Sequence, residues 1–119
     1  MVANVDLAAT ILDFSGVKSD LKTHGISLVP YVYNGSSMDK RKELMIEHLW
    51  DFQPIPPSEG IRTEQWKYFR YRTIKATEEL YDLENDPQEL NNLASNTEYK
   101  IILQNMRDKL DRKITLYSK

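Results

Sequence analysis

The chain has 119 residues, enough for one domain with a modest core. Its 16 basic and 18 acidic side chains leave a net charge of -2, which argues against nucleic acid as the main partner, because such binding rests on Lys and Arg neutralising phosphates. There is no cysteine, which excludes disulfides, thiolate catalysis and Cys-based zinc sites and is silent about compartment. No run approaches the length of a membrane-spanning helix, and no signal peptide opens the chain.

The first element predicted is a helix over Val5 to Phe14, with Asn4 as N-cap and Gly16 as the C-terminal stop. Its apolar residues lie nearly all the way round, as in a helix buried on every side; either covering protein is missing, or this is a mixed Ala/Leu helix that leaves some apolar atoms exposed. Next comes a loop with Pro30, an Asn34-Gly35 turn and a basic cluster at Lys40 to Lys42. The segment Glu43 to Trp50 reads as a strand and is followed by a Pro-rich excursion. Two short strands follow, Gly60 to Thr63 and Lys67 to Thr73, turning near Glu64-Gln65, and Glu78 to Glu84 is the fourth. Tyr99, Ile102, Leu103, Met106, Leu110, Ile114 and Tyr117 recur at helical spacing, and Ser95 with Glu98 reads as a capping box before them. The expected fold is α+β: a small antiparallel sheet of about four strands packed by a long C-terminal amphipathic helix.

The stretch Glu78 to Ala94 holds six carboxylates and three asparagines. Asp82, Glu84 and Asp86 alternate as in a calcium loop, but Pro87 falls where that loop needs Gly and Leu93 where it needs a bidentate Glu. The better reading is structural: Asp86 caps a short helix over Pro87 to Leu93, with Glu89 returning to the cap. In Lys67 to Arg72, cations and aromatics alternate and fall on both faces of a strand, which weakens a base-stacking role. His24 and His48 stand too far apart in sequence to make a metal motif. No Gly-rich phosphate loop, HExxH or Ser/His/Asp order occurs, and Asn34-Gly35-Ser36 is formally a glycosylation sequon.

Several segments in order (NVDLAATILDFSGV, GISLVP, GIRTEQWKYFRY, EELYDLENDPQELNNLA and the closing helix) resemble the C-terminal part of the sulfatase family, the arylsulfatase-like branch of the alkaline-phosphatase-like superfamily. Ala9 stands where many members carry Pro. The segment IEHLW is most similar to members acting on sulfated glycans, such as N-acetylglucosamine-6-sulfatases. The resemblance implies a sulfuric ester hydrolase, bacterial and periplasmic or secreted. It also implies a formylglycine made from a Cys/Ser-x-Pro-x-Arg motif and a bound calcium, both in the large N-terminal domain. Neither machinery is present here, since in Ser27-Leu28-Val29-Pro30 the proline falls one place late. The chain is then expected to be an inactive fragment, with a helix and linker from the end of the α/β catalytic domain (1–36) and an α+β subdomain (37–119). Its expected partners are the missing N-terminal sulfatase domain and a sulfated carbohydrate, with no nucleic acid and no membrane span. By analogy His48, Trp50 and Arg62 are candidates for substrate contact, with no catalytic or metal residue in the chain. The alternative is a stand-alone carbohydrate-binding or protein-interaction module that shares the sulfatase tail.

Overall fold

Apolar residues spaced two apart on short segments, and three or four apart on a longer one, dictate a sheet and a helix that cover one another. The computed structural model describes residues 1–18, 20, 23–34, 41–50, 55–72 and 77–118. It divides into two compact units, Met1–Arg41 and Lys42–Lys119.

The second unit is a four-stranded antiparallel meander, β1 (Leu44–His48), β2 (Ser58–Arg62), β3 (Trp66–Tyr71) and β4 (Glu78–Asp82), in the order β1-β2-β3-β4. The register aligns Met45 with Ile61, Ile61 with Tyr68 and Tyr68 with Leu80, and directly opposed residues share a face. On that face Ile61, Tyr68 and Leu80 are wholly buried against Leu103, Met106 and Leu110 of α3 (Lys100–Tyr117). Trp66 closes one end of this core with an edge-on contact to Tyr99, the ring centroids 5.9 Å apart. Ion pairs Glu43–Lys109, Glu78–Arg107 and Arg70–Asp111 flank the apolar seam. On the opposite face Phe69 lies over Gly60, where an added Cβ would stand 2.8 Å from the ring. Each strand falls within two residues of its expected position where described; the expected extension of the third strand to Thr73 lies outside the described residues.

Two local expectations in this unit fail. The short helix over Pro87 to Leu93 does not form, because Glu89 takes a left-handed conformation (φ 56°) and pairs with Lys67 instead of returning to a cap. The Asp86 carboxylate accepts from the Asn91 N–H (2.8 Å), closing a wider corner than one helical turn. The capping box at Ser95 is displaced by one residue: Asn96 accepts from the Glu98 N–H (3.0 Å) and starts a 3-10 turn, Thr97–Tyr99, that leads into α3.

The first unit contains α1 (Asp6–Ser15) and α2 (Val29–Asn34). Gly16 ends α1 in the left-handed conformation (φ 66°) that glycine adopts without strain. Asn4 is not the N-cap: Val5 holds that position with no side-chain cap bond, and Asn4 Oδ1 accepts only from the neighbouring Val5 N–H. Asp6 performs the stabilisation from within. Fully buried, it accepts from the Ala3 and Ile26 N–H groups (2.8 and 2.9 Å) and takes a two-pronged bond from the Arg41 guanidinium (2.7 and 2.6 Å). Thr10 accepts from the Leu28 N–H (3.0 Å), and Asp13 accepts from the Ser27 hydroxyl. Gly25 is required here, since a Cβ would stand 1.9 Å from the Val5 carbonyl oxygen. The expected loop at Pro30 is instead the short helix α2, whose first turn tolerates Pro because its N–H would be unpaired anyway. The expected Gly35 turn, Lys40 and the 36/37 boundary lie outside the described residues.

The helix predicted to be apolar on every side is inside-out. Asp6, Thr10 and Asp13 form the stripe that holds the 25–28 segment, while Leu7, Ile11 and Phe14 are 58%, 66% and 65% exposed.

Leu110→Ala removes a fully buried side chain from the α3 seam and is expected to cost about 2–5 kcal/mol in urea denaturation. Arg41 chiefly holds the Asp6 carboxyl well below its usual 3.8, against the opposing effect of burial. A depressed carboxylate contributes stability that is complete above its unfolded value and fades as the pH falls towards its folded value. Asp6→Asn should therefore destabilise the first unit at neutral pH and lose less further stability than the parent below about pH 4, measured by acid titration of far-UV dichroism.

Candidate functional site

Of the three residues singled out for substrate contact, the structure brings two to one end of the sheet. His48 is the last residue of β1 and pairs with Ser58, which in turn pairs with Tyr71 on β3. This row lies on the sheet face opposite α3, since it is out of phase with Met45, Ile61 and Tyr68. Trp50 lies two residues beyond the strand and is 75% exposed. His48 is half-buried, and its Nε2 is shielded from solvent without a hydrogen-bond partner.

Arg62 is not part of that cluster. It pairs with Leu44 at the other end of the β1–β2 ladder, four residues from His48 along the strand, or about 13 Å. It shares the open face with His48 and is exposed to solvent. Arg62 stands opposite Lys67, which lies 5.2 Å from the Phe69 ring centroid.

The same face carries a fixed polar group absent from the sequence reading. Tyr71 Oη donates to Glu79 Oε1 at 2.9 Å, and Tyr81 Oη donates to the other oxygen at 3.3 Å. Burial, reinforced by the Glu79 carboxylate, pushes the Tyr71 hydroxyl up to about 12, so it stays neutral. The alternation of Tyr71 and Phe69 with Arg70 signals this face in the sequence, but its juxtaposition with His48 depends on register.

The acidic stretch serves the fold. Asp82 Oδ1 accepts from the Glu84 N–H (3.1 Å) and its Oδ2 from the Asn85 amide (2.8 Å). Asn92 accepts from the Leu80 N–H and donates to the Glu78 carbonyl, covering the free edge of β4. With these oxygens taken by backbone and amide donors, the stretch has no convergent set for calcium. Among the described residues no group of three or more His, Asp or Glu side chains could hold a metal ion, and no helix is long and apolar enough to cross a membrane. Ser27 does not fit the formylglycine position either: its hydroxyl is engaged with Asp13 and accepts from the Val29 N–H at the start of α2.

Comparison with known proteins places this geometry in context. The family described as N-sulphoglucosamine sulphohydrolase, C-terminal, matches residues 1–115. The N-acetylglucosamine-6-O-sulfatase of Bacteroides thetaiotaomicron is 32% identical over 100 residues, covering 81% of this chain and 18% of that protein. The Delta 4,5-hexuronate-2-O-sulfatase of the same organism is 31% identical over 112 residues, covering 93% of this chain and 23% of that one. A solved structure of a protein in complex with its substrate D-glucosamine-2-N,6-O-disulfate superposes with a TM-score of 0.83 at 30% identity, covering 97% of this chain and 24% of that one. The chain thus spans about a fifth to a quarter of the length of these relatives.

His48→Leu tests whether the imidazole is kept for stability. Replacing an unpaired buried polar atom by an apolar group of similar size is expected to leave the stability of the 119-residue chain unchanged or raise it by up to about 1 kcal/mol, read by urea denaturation. A loss well above 1 kcal/mol would assign His48 a structural bond instead.

Proposed function

The chain belongs to the N-sulphoglucosamine sulphohydrolase C-terminal family, and from that premise we propose that it works as the C-terminal α+β part of a sulfuric ester hydrolase acting on sulfated carbohydrate. The nucleophile and calcium site are supplied by the large N-terminal domain of a longer polypeptide, and the 119 residues alone are inactive. The proposed location is periplasmic or secreted, where polymeric sulfated glycans are met. The observation that carries this reading is that relatives named for sulfated sugars align along almost the whole chain, from α1 to α3.

Within that enzyme the chain shapes substrate selection and makes or breaks no bond. Trp50 offers an exposed indole on which the apolar face of a sugar ring stacks. His48, beside it at the end of β1, carries an imidazole of the kind that hydrogen-bonds a hydroxyl or sulfate oxygen. Arg62, about 13 Å farther along the open face by backbone rise, serves a separate anionic group.

In the full-length polypeptide, sulfate release from 6-O-sulfated N-acetylglucosamine and related sulfated sugars is the direct test. Trp50→Ala is expected to raise KM about 3- to 10-fold with kcat changed much less, the loss of one stacking contact of about 0.5–1.5 kcal/mol. Absence of a Cys/Ser-x-Pro-x-Arg motif upstream, with no sulfate released from any sugar tested, would overturn the enzyme reading. Sulfated oligosaccharide binding by the 119-residue chain alone would then favour a stand-alone module.

A further inference from the structure

The end of the sheet that carries His48 and Trp50 has an arginine of its own. Tyr71 shares the His48 row through Ser58, and Arg72 follows it one residue beyond β3. The Arg72 N–H donates to the Pro57 carbonyl at 2.9 Å, so the pairing of β2 with β3 runs one step past the strand and sets Arg72 on the rim. Trp50 stands on the same rim, two residues past β1. Arg62, at the far end of β2, does not reach it.

Glu59 holds the Arg72 side chain. This carboxylate belongs to a residue only 3% exposed and lies between two guanidiniums. Arg70, directly across on β3, gives Nε and Nη2 to one oxygen, both at 2.7 Å. Arg72 gives Nε and Nη2 to the other, at 2.9 and 2.7 Å. One buried carboxylate balances one cation, so two guanidiniums leave the group short of negative charge. Arg70 finds a second partner in Asp111 of α3, 2.8 Å from its Nη2. Among the described residues Arg72 has no second carboxylate, and Glu47, the ladder partner of Glu59 on β1, pairs with neither arginine. The Arg72 side chain is 50% exposed. Its inner edge is fixed on Glu59, which leaves the Nη1–Nη2 edge as an outward fork of two N–H donors.

We propose that Arg72 is a specificity-determining residue that binds an anionic group, sulfate or carboxylate, on the sugar next to the one stacked on Trp50. The inference rests on the proposed sulfatase function for that first sugar. β1 and β3 lie two strand spacings apart, about 10 Å, which is wider than one sugar ring, so a ring on Trp50 does not also fill the Arg72 end. A sulfated glycan carries negative groups on successive sugars, and a guanidinium fork takes either kind through paired N–H···O bonds. Glu59 already orders the side chain, so little rotamer freedom is lost when the anion arrives. Glu59 is the positioning residue and Arg72 the contact. Together they favour a chain over a monosaccharide without touching the ester that is cleaved.

Sulfate release by the full-length polypeptide tests this on 6-O-sulfated N-acetylglucosamine alone and on the same sugar linked to a neutral, a carboxylated or a sulfated neighbour. Arg72→Gln is expected to raise KM about 5- to 20-fold for one or both anionic disaccharides, with kcat little changed. Whichever responds identifies the anion. KM for the monosaccharide and the neutral disaccharide should stay within about twofold of the parent. Arg72→Lys, which keeps the charge and loses the fork, should recover part of the loss. Urea denaturation of the 119-residue chain carrying Arg72→Gln should match the parent, since Arg70 still pairs with Glu59. An equal rise in KM on every substrate, or no rise on either anionic disaccharide, would overturn the proposal and leave the enzyme reading in place. So would a large loss of stability, which would assign Arg72 to the fold. A parent that releases no sulfate from any of these sugars overturns the enzyme reading and this inference together.

Discussion

Everything in the second unit depends on the burial of Tyr68. Its ring fills the centre of the sheet between Ile61 and Leu80 beneath α3, yet its hydroxyl must still find a partner, because a buried phenol without one is costly. Glu78 provides it, and Arg107 of α3 holds Glu78 in turn, keeping that carboxyl below its ordinary value. The apolar seam and the ion pairs that flank it are therefore one arrangement: the same residue demands both a greasy helix above it and a charged pair at its rim. Having committed one sheet face to α3, the unit leaves the other for different work.

That division also explains how much of the fold was legible in the sequence. The α3 stripe is read directly, since Leu103, Met106 and Leu110 have no other way to be buried together. The strands are read to within two residues from β-branched and aromatic residues bounded by Gly and Pro. Three local features are not. Glu89 takes a left-handed conformation that a helix pattern does not anticipate, because its pairing with Lys67 is long-range. Asn96 rather than Ser95 starts the closing helical segment, and nothing in the spacing distinguishes two adjacent capping residues. The inward stripe of α1 was hidden by hydropathy itself, which ranks Asp6 as surface, whereas Arg41 and two backbone amides make it the most deeply held residue of its unit.

The geometry of the candidate site was legible in part for the same reason. His48 and Trp50 are neighbours in sequence, so no tertiary knowledge was needed to place them together. Arg62 is grouped with them by analogy with the family, and the antiparallel register sets it at the opposite end of the ladder. Tyr71 shares the His48 row only through Ser58, a relationship fixed by two successive strand registers. Composition cannot supply that.

Glu89 carries a consequence for the open face. The register sets Arg62 directly across from Lys67, and like charges opposed on adjacent strands repel. Glu89 reaches Lys67 from the acidic corner, so the run of carboxylates that resembles a cation trap does capture a cation, one covalently attached to the neighbouring strand. The corner is the counter-ion of the sheet. A left-handed backbone at a non-glycine residue is what aims it there, so replacing Glu89 by the glycine that its dihedral angles favour would relax the chain locally and leave two cations facing each other across β2 and β3.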